Sequence, residues 1–195
     1  MNEASSKKGL LVILSGPSGS GKDTILRELR LLDPDIRESV SATTRSPRQN
    51  ETDGLNYHFL SEEEFAEKIK NGEFIEYVKY NNHYYGTLKS EVEALISGGK
   101  TAVLVIEVRG AAEVLKKFPE AVSIFLTAPS PEALEARLRI RAQNSEAGIK
   151  KRLLIAEEEI ERRFDYEYVV VNDVLADAVS EIYNIIKQKR NDEII

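Results

Sequence analysis

Gly16-Pro17-Ser18-Gly19-Ser20-Gly21-Lys22-Asp23-Thr24 follows directly on the apolar run Leu10–Leu14 and leads into a helix-like pattern, Thr24–Leu32. Strand, glycine-rich loop and helix in that order form a P-loop, which ties the chain to a fold with a buried strand behind a helix N-terminus. The spacing has a chemical reason. Gly16, Gly19 and Gly21 let the backbone come close to an anion and aim several amide N–H groups at it. The helix N-terminus adds partial positive charge and Lys22 a full one. The pattern predicts that Gly16, Pro17, Ser18, Gly19, Ser20, Gly21, Lys22, Asp23 and Thr24 bind a nucleoside triphosphate.

The loop departs from the common pattern after Lys22, where Ser or Thr normally supplies a hydroxyl to Mg²⁺. Here Asp23 comes first and Thr24 follows. Asp23 is a hard oxygen donor that can hold Mg²⁺ directly or through water. It is equally a first-turn acid favoured by the helix dipole, with no ligand role.

Further apolar runs alternate with helical patterns. Thr101–Ile106 and Val122–Leu126 read as buried strands with a helix, Ala111–Phe118, between them. Tyr168–Val171 is another strand, and an apolar-periodic helix runs from about Val174 to Lys187. Such alternation predicts an α/β fold, a parallel sheet with helices on both faces. Ser130-Pro131 opens a helix to about Arg141, and Ser145 caps the next.

The stretch from about Ile36 to Gly86 breaks this rhythm. It is polar and β-like, with short segments at Ser39–Thr43, Asn56–Phe59, Ile75–Tyr80 and His83–Tyr85. A capping box, Ser61 to Glu64, starts one helix that closes near Gly72. A further helix, about Leu88–Ser97, returns the chain to the sheet through Gly98-Gly99. An insertion of this kind makes a second binding lobe.

Totals exclude several other classes. The 195 residues carry a net charge of −6, which argues against a broad nucleic-acid-binding face. With no cysteine there is no disulfide, thiolate metal site or cysteine nucleophile. No apolar run approaches membrane-spanning length. The polar start, Met1 to Lys8, resembles neither a signal nor a transit peptide, so a frayed tail on a cytoplasmic protein is expected.

The insertion contains Ser41-Ala42-Thr43-Thr44-Arg45-Ser46-Pro47-Arg48, Gly54-Leu55-Asn56-Tyr57, Glu73-Phe74-Ile75-Glu76-Tyr77 and Tyr84-Tyr85-Gly86-Thr87. With the P-loop upstream, these motifs closely resemble the guanylate kinase family, over nearly the whole chain. The resemblance implies a P-loop kinase fold with a GMP-binding lobe at about 36–87, a helical lid at about 137–159, and core segments at about 9–35, 88–136 and 160–195. It implies reversible, Mg²⁺-dependent phosphoryl transfer from ATP to GMP and dGMP.

Arg45 and Arg48, with the hydroxyls of Tyr57 and Tyr85, match the family's GMP-phosphate site, and guanidinium forks suit phosphate oxygens. Glu76 matches the guanine-reading acid: one carboxylate accepts from both guanine N1–H and the 2-amino group, whereas adenine presents an acceptor at N1. Ser41 and Thr87 match hydroxyl partners of the base site. Arg137, Arg141 and Arg152 fall where the lid carries arginines over the ATP phosphates. Asn172 falls near the adenine site. Where the family usually shows Leu-Asp-Ile-Asp, this chain has Leu104-Val105-Ile106-Glu107. Glu107 is thus expected toward GMP or the waters around Mg²⁺, while Val105 offers no oxygen and Asp23 is a candidate replacement. Two other readings stay open: a ribose 1,5-bisphosphate phosphokinase of the same fold, and a non-catalytic guanylate kinase-like binding module. The oligomeric state has no signal in the sequence.

Overall fold

The structure is a computed structural model that describes residues 9–80, 82–140 and 146–192. In chain order its elements are β1 (Leu10–Ser15), α1 (Lys22–Leu32), β2 (Ile36–Glu38), β3 (Ser41–Thr43), β4 (His58–Phe59), α2 (Glu62–Lys70), β5 (Phe74–Tyr80) and β6 (His83–Leu88). There follow α3 (Lys89–Ser97), β7 (Thr101–Val105), α4 (Val108–Lys117), β8 (Val122–Thr127), α5 (Pro131–Ile140), α6 (Glu146–Glu161), β9 (Tyr168–Val171) and α7 (Leu175–Asp192). The expected tail at residues 1–8, Arg141 and the Ser145 cap lie outside the described residues.

A five-stranded sheet in the order β2-β7-β1-β8-β9 forms the core, and every pairing in it is parallel. All six residues of β1 are buried, and their alternation serves both faces. Leu10, Val12 and Leu14 pack with Ile25, Leu26 and Leu29 of α1 and Ala178, Val179 and Ile182 of α7. Leu11 and Ile13 pack on the other side with Val92 of α3 and Val108, Ala111 and Val114 of α4. A continuous apolar run is what a strand covered on both faces needs.

The second sheet runs β4-β3-β6-β5 and is mixed: β3 pairs β4 in parallel and β6 antiparallel, and β5 pairs β6 antiparallel. One face packs on α2 through Ala42, Phe65, Phe74 and Leu88, with Phe65 stacked on Phe74 at 4.3 Å and on Tyr84 at 5.3 Å between ring centroids. The capping box starts α2 as its sequence predicts: Glu64 N–H donates to Ser61 Oγ at 3.1 Å and Ser61 N–H to Glu64 Oε2 at 2.7 Å. Ser130 likewise accepts from Ala133 N–H at 3.2 Å at the start of α5.

Some boundaries differ from the sequence expectation. Ile36–Glu38 is an edge strand of the core sheet, paired with Thr101–Val103, so the second sheet opens only at Ser41. Ile36 is fully buried there, and that single apolar anchor is hard to see in a polar three-residue segment. The Asn56–Phe59 strand shrinks to His58–Phe59 because Thr52 to Asn56 turn back on themselves: Leu55 and Asn56 N–H both donate to Thr52 carbonyl. Helix α1 begins at Lys22 rather than Thr24, directly out of the loop.

Candidate active site

The glycine-rich loop lies between the C-terminal end of β1 and the N-terminus of α1. Gly21 caps α1 in the left-handed region at φ 104°, and a Cβ there would stand 2.4 Å from Asn172 Nδ2. A Cβ on Gly16 would meet Leu126 carbonyl at 2.0 Å. Both positions therefore require glycine. Lys22 Nζ donates to Gly16 carbonyl at 2.6 Å and Pro17 carbonyl at 3.2 Å, folded back over the loop that it serves. Ser20 N–H closes the turn on Pro17 carbonyl, while Ser18 is exposed and Gly19 packs against Leu134 and Leu138 of α5.

Beside the loop a cleft is lined by Gly19, Gly21, Thr24, Arg137, Ile140, Asn172, Asp173 and Leu175. Asn172, buried after β9, donates through Nδ2 to Ser20 carbonyl at 2.8 Å, so it braces the loop as well as lining the cleft. Arg137 Nη2 donates to Asn172 carbonyl at 2.7 Å, whereas its buried Nη1 has no hydrogen-bond partner among the described residues. A buried guanidinium nitrogen without an acceptor suits an anionic or polar ligand. Arg152 is half-buried on α6. Asp23 is exposed in the first turn of α1, and its charge reaches Glu38 at the end of β2. Burial pushes the Glu38 carboxyl up, Arg30 opposes this, and Asp23 adds to it.

On the second sheet, cross-strand register assembles a different kind of site. Ser41 pairs with Thr87, and Thr87 with Glu76, so three polar side chains form one row on the face away from α2. Thr87 Oγ1 donates to Glu76 Oε1 at 2.8 Å. Burial raises the Glu76 carboxyl above its usual range; Thr87 and the charge of Lys117 oppose this, and Glu107 adds to it. Thr43 and Tyr85 form the next row on the same face.

Arg45, just beyond, donates to Ser46 carbonyl at 2.7 Å and Glu51 Oε1 at 2.8 Å, and lies over the rings of Tyr57 at 5.4 Å and Phe59 at 5.8 Å. Tyr57 meets Tyr85 edge-on at 6.1 Å. Glu51 first, and Tyr85 after it, hold Arg45 in its charged form. Burial and then Tyr85 push the Tyr57 phenol up. Arg48 is exposed, and its backbone N–H donates to Glu51 Oε2 at 2.8 Å.

Glu107 is the exposed N-cap of α4, and its charge reaches both Glu76 and Glu159 of α6. Glu159 in turn feels Lys22 and Arg109, while burial raises its carboxyl. One acid thus stands between the loop side and the second-sheet side. Val105, half-buried, packs against the core on the α1 and α7 face. Three residues of this region escaped the sequence reading: Glu51, Glu159 and Lys117. Glu51 carried a weak signal, an acid three residues beyond Arg48 in a turn. The other two carried none, because their partners are brought near only by folding.

Among known proteins, a family model for guanylate kinase matches residues 8–189. Guanylate kinases of Clostridioides difficile (strain 630) and Halalkalibacterium halodurans are 44% and 47% identical to the chain; the alignments cover 95% and 92% of it, and 90% and 88% of those proteins. The crystal structure of guanylate kinase from Anaplasma phagocytophilum matches with a TM-score of 0.71 at 31% identity, covering 94% of this chain and 87% of that one. A glycine loop at the end of a buried parallel strand and a second sheet with a half-buried carboxylate both lie within the matched residues, and the extent of that match leads to one conclusion: the chain belongs to the guanylate kinase family.

Proposed function

We propose that this chain transfers the γ-phosphoryl group of ATP to the phosphate of GMP or dGMP, giving ADP and the nucleoside diphosphate. The observation that carries the reading is the Ser41, Thr87 and Glu76 row, one step along the sheet from Tyr85 and Arg45. Glu76 accepts guanine N1–H and the 2-amino group together. Adenine would leave a desolvated carboxylate facing an acceptor, which is a strong penalty. Arg45, Arg48, Tyr57 and Tyr85 bind the monophosphate, with Glu51 holding the two arginines in place beforehand.

On the donor side, the backbone N–H groups of Ser18, Gly19, Gly21 and Lys22 and the α1 N-terminus cradle the triphosphate. Lys22 Nζ exchanges its two carbonyl acceptors for phosphate oxygens, and Arg137, Arg141 and Arg152 add charge from the lid. The monophosphate needs no strong general base, because its second pKa is about 6 and its acceptor oxygen is already ionised near neutrality. One acceptor O–P bond forms as the bridging P–O bond to ADP breaks. Catalysis rests on alignment and on neutralising charge in a loose transition state.

The donor set near the loop fits a metal that arrives on the triphosphate. No cluster of three or more His, Cys, Asp or Glu suited to a metal occurs among the described residues. Mg²⁺ characteristically keeps several waters and takes one or two protein oxygens besides phosphate. Thr24 Oγ1 and the Asp23 carboxylate would hold it, with Glu107 toward its waters or GMP. When bound, Mg²⁺ offsets charge on the phosphate oxygens.

The deciding experiment measures ADP formation from ATP with GMP, dGMP, AMP, UMP and ribose 1,5-bisphosphate as acceptors. GMP and dGMP are expected to dominate. Equal turnover of AMP, or preference for the ribose bisphosphate, would overturn the reading; no turnover with any acceptor would point to a binding module.

A further inference from the structure

Strand β5 carries an irregularity next to the base-reading row. Phe74 pairs with Leu88 and Glu76 with Thr87, two adjacent residues of β6, so Ile75 is one residue too many. In a regular strand Phe74 and Glu76 would share a face. The bulge separates them. Phe74 enters the core beneath α2 with Phe65, and Tyr77 approaches those same two rings at 6.1 and 6.5 Å. Glu76 emerges on the opposite face with Thr87 and Ser41, and Ile75 is buried under α4 with Val108, Ala111 and Val114. Bulges next to active sites commonly re-aim a side chain in this way.

A bulge also interrupts the ladder, and its backbone needs a partner. Lys117 Nζ, from the last turn of α4, donates to Ile75 carbonyl. The same helix presents Gly110 to the other side of the carboxylate: a Cβ there would stand 3.4 Å from Glu76 Oε2. Helix α4 therefore holds both the backbone that aims Glu76 and the surface against which it rests. We propose that Lys117 is a positioning residue for guanine selection, fixing the Ile75 bulge so that Glu76 faces the base. Lys117 acts on Glu76 chiefly through the backbone of β5, and its charge also reaches that carboxylate. This inference rests on the reading of Glu76 as the guanine-binding acid.

The test compares the wild-type enzyme with Lys117→Met, Lys117→Gln, Lys117→Arg and Glu76→Gln in steady-state turnover, with GMP and IMP as acceptors. IMP lacks the 2-amino group, so the ratio of kcat/KM for GMP to that for IMP reports the geometry of the carboxylate. Lys117→Met and Lys117→Gln are expected to raise KM for GMP about tenfold, as loss of one charge-assisted hydrogen bond predicts. They should lower the GMP to IMP ratio and leave kcat and KM for ATP within about twofold. Lys117→Arg should restore most of the ratio. If Glu76→Gln destroys the preference while both Lys117 variants keep it, the inference fails and the reading of Glu76 stands. Equal losses for GMP, IMP and ATP would mark a merely structural lysine and also overturn it. A Glu76→Gln enzyme with an unchanged ratio would remove the reading itself.

Discussion

In the proposed function the P-loop and the second sheet recognise their anions with different parts of the chain. On the P-loop side the triphosphate would meet backbone amides, held by a strand buried along its whole length and by core residues on both of its faces. On the second-sheet side the monophosphate nucleotide would meet side chains: Arg45, Tyr57, Tyr85, Glu76 and Thr87. Those are carried by a four-stranded sheet whose buried apolar core is Ala42, Phe65, Phe74 and Leu88, and whose strand β5 ends in exposed Tyr77, Val78 and Tyr80. Amides suit any phosphate and gain from rigidity. Side chains can tell one base from another, but only if something positions them. A thinner core also makes local opening easier, so the lobe is the half expected to move during a catalytic cycle.

That contrast can be broken most directly at Lys22. Lys22→Ala should lower kcat about 10³-fold, the scale on which a preorganised positive group stabilises developing charge. Steady-state rates check this, and a drop under tenfold would mean the loop amides suffice. In the lobe, Phe65→Ala removes a ring stacked on two others and should weaken local packing by about 3–5 kcal/mol. Hydrogen exchange should accelerate in β3, β5 and β6 while β1, β7 and β8 stay protected. Uniform acceleration would show one cooperative unit rather than two.

A pH series sharpens the comparison at Glu76, whose carboxyl burial raises. On the proposed reading guanine binds the ionised carboxylate, so affinity for GMP should fall as the pH drops through this raised value. Stability should move the opposite way. The folded state holds the Glu76 proton more tightly than the unfolded chain, so this contribution is present at low pH and is lost as the pH rises through the folded value. Relative to Glu76→Gln, the wild type should therefore gain melting temperature on acidification while losing GMP affinity. The Gln variant retains the phosphate's own titration and serves as the control. A wild type and Gln variant with parallel profiles would disprove the assignment. The smallest effect is expected at Asn172. Asn172→Ala removes the brace on Ser20 carbonyl and should raise KM for ATP about five- to tenfold with little change for GMP, measured by nucleotide titration.

Local signals carried much of this in the sequence. The P-loop needs only glycines, a lysine and flanking periodicity, and the caps at Ser61 and Ser130 are satisfied within one helical turn. The motifs with Arg45, Arg48, Tyr57, Glu76 and Tyr85 were visible as a family pattern. Strand β2 was not assigned to the core sheet, because its partner β7 lies far along the chain. Asn172 was expected beside the adenine, and its bond to Ser20 comes from a loop at the other end of the chain.

The order of residues alone determined that a triphosphate loop follows a doubly buried strand, since close backbone approach and alternating burial are written in neighbouring residues. Only the tertiary structure decided that Ile75 is an extra residue in its strand, that Lys117 donates to its carbonyl, and that Glu76 lies beside Thr87 on the face opposite Phe74. A bulge exists only relative to a partner strand, and the lysine that satisfies it comes from a helix packed against that strand by the folded core.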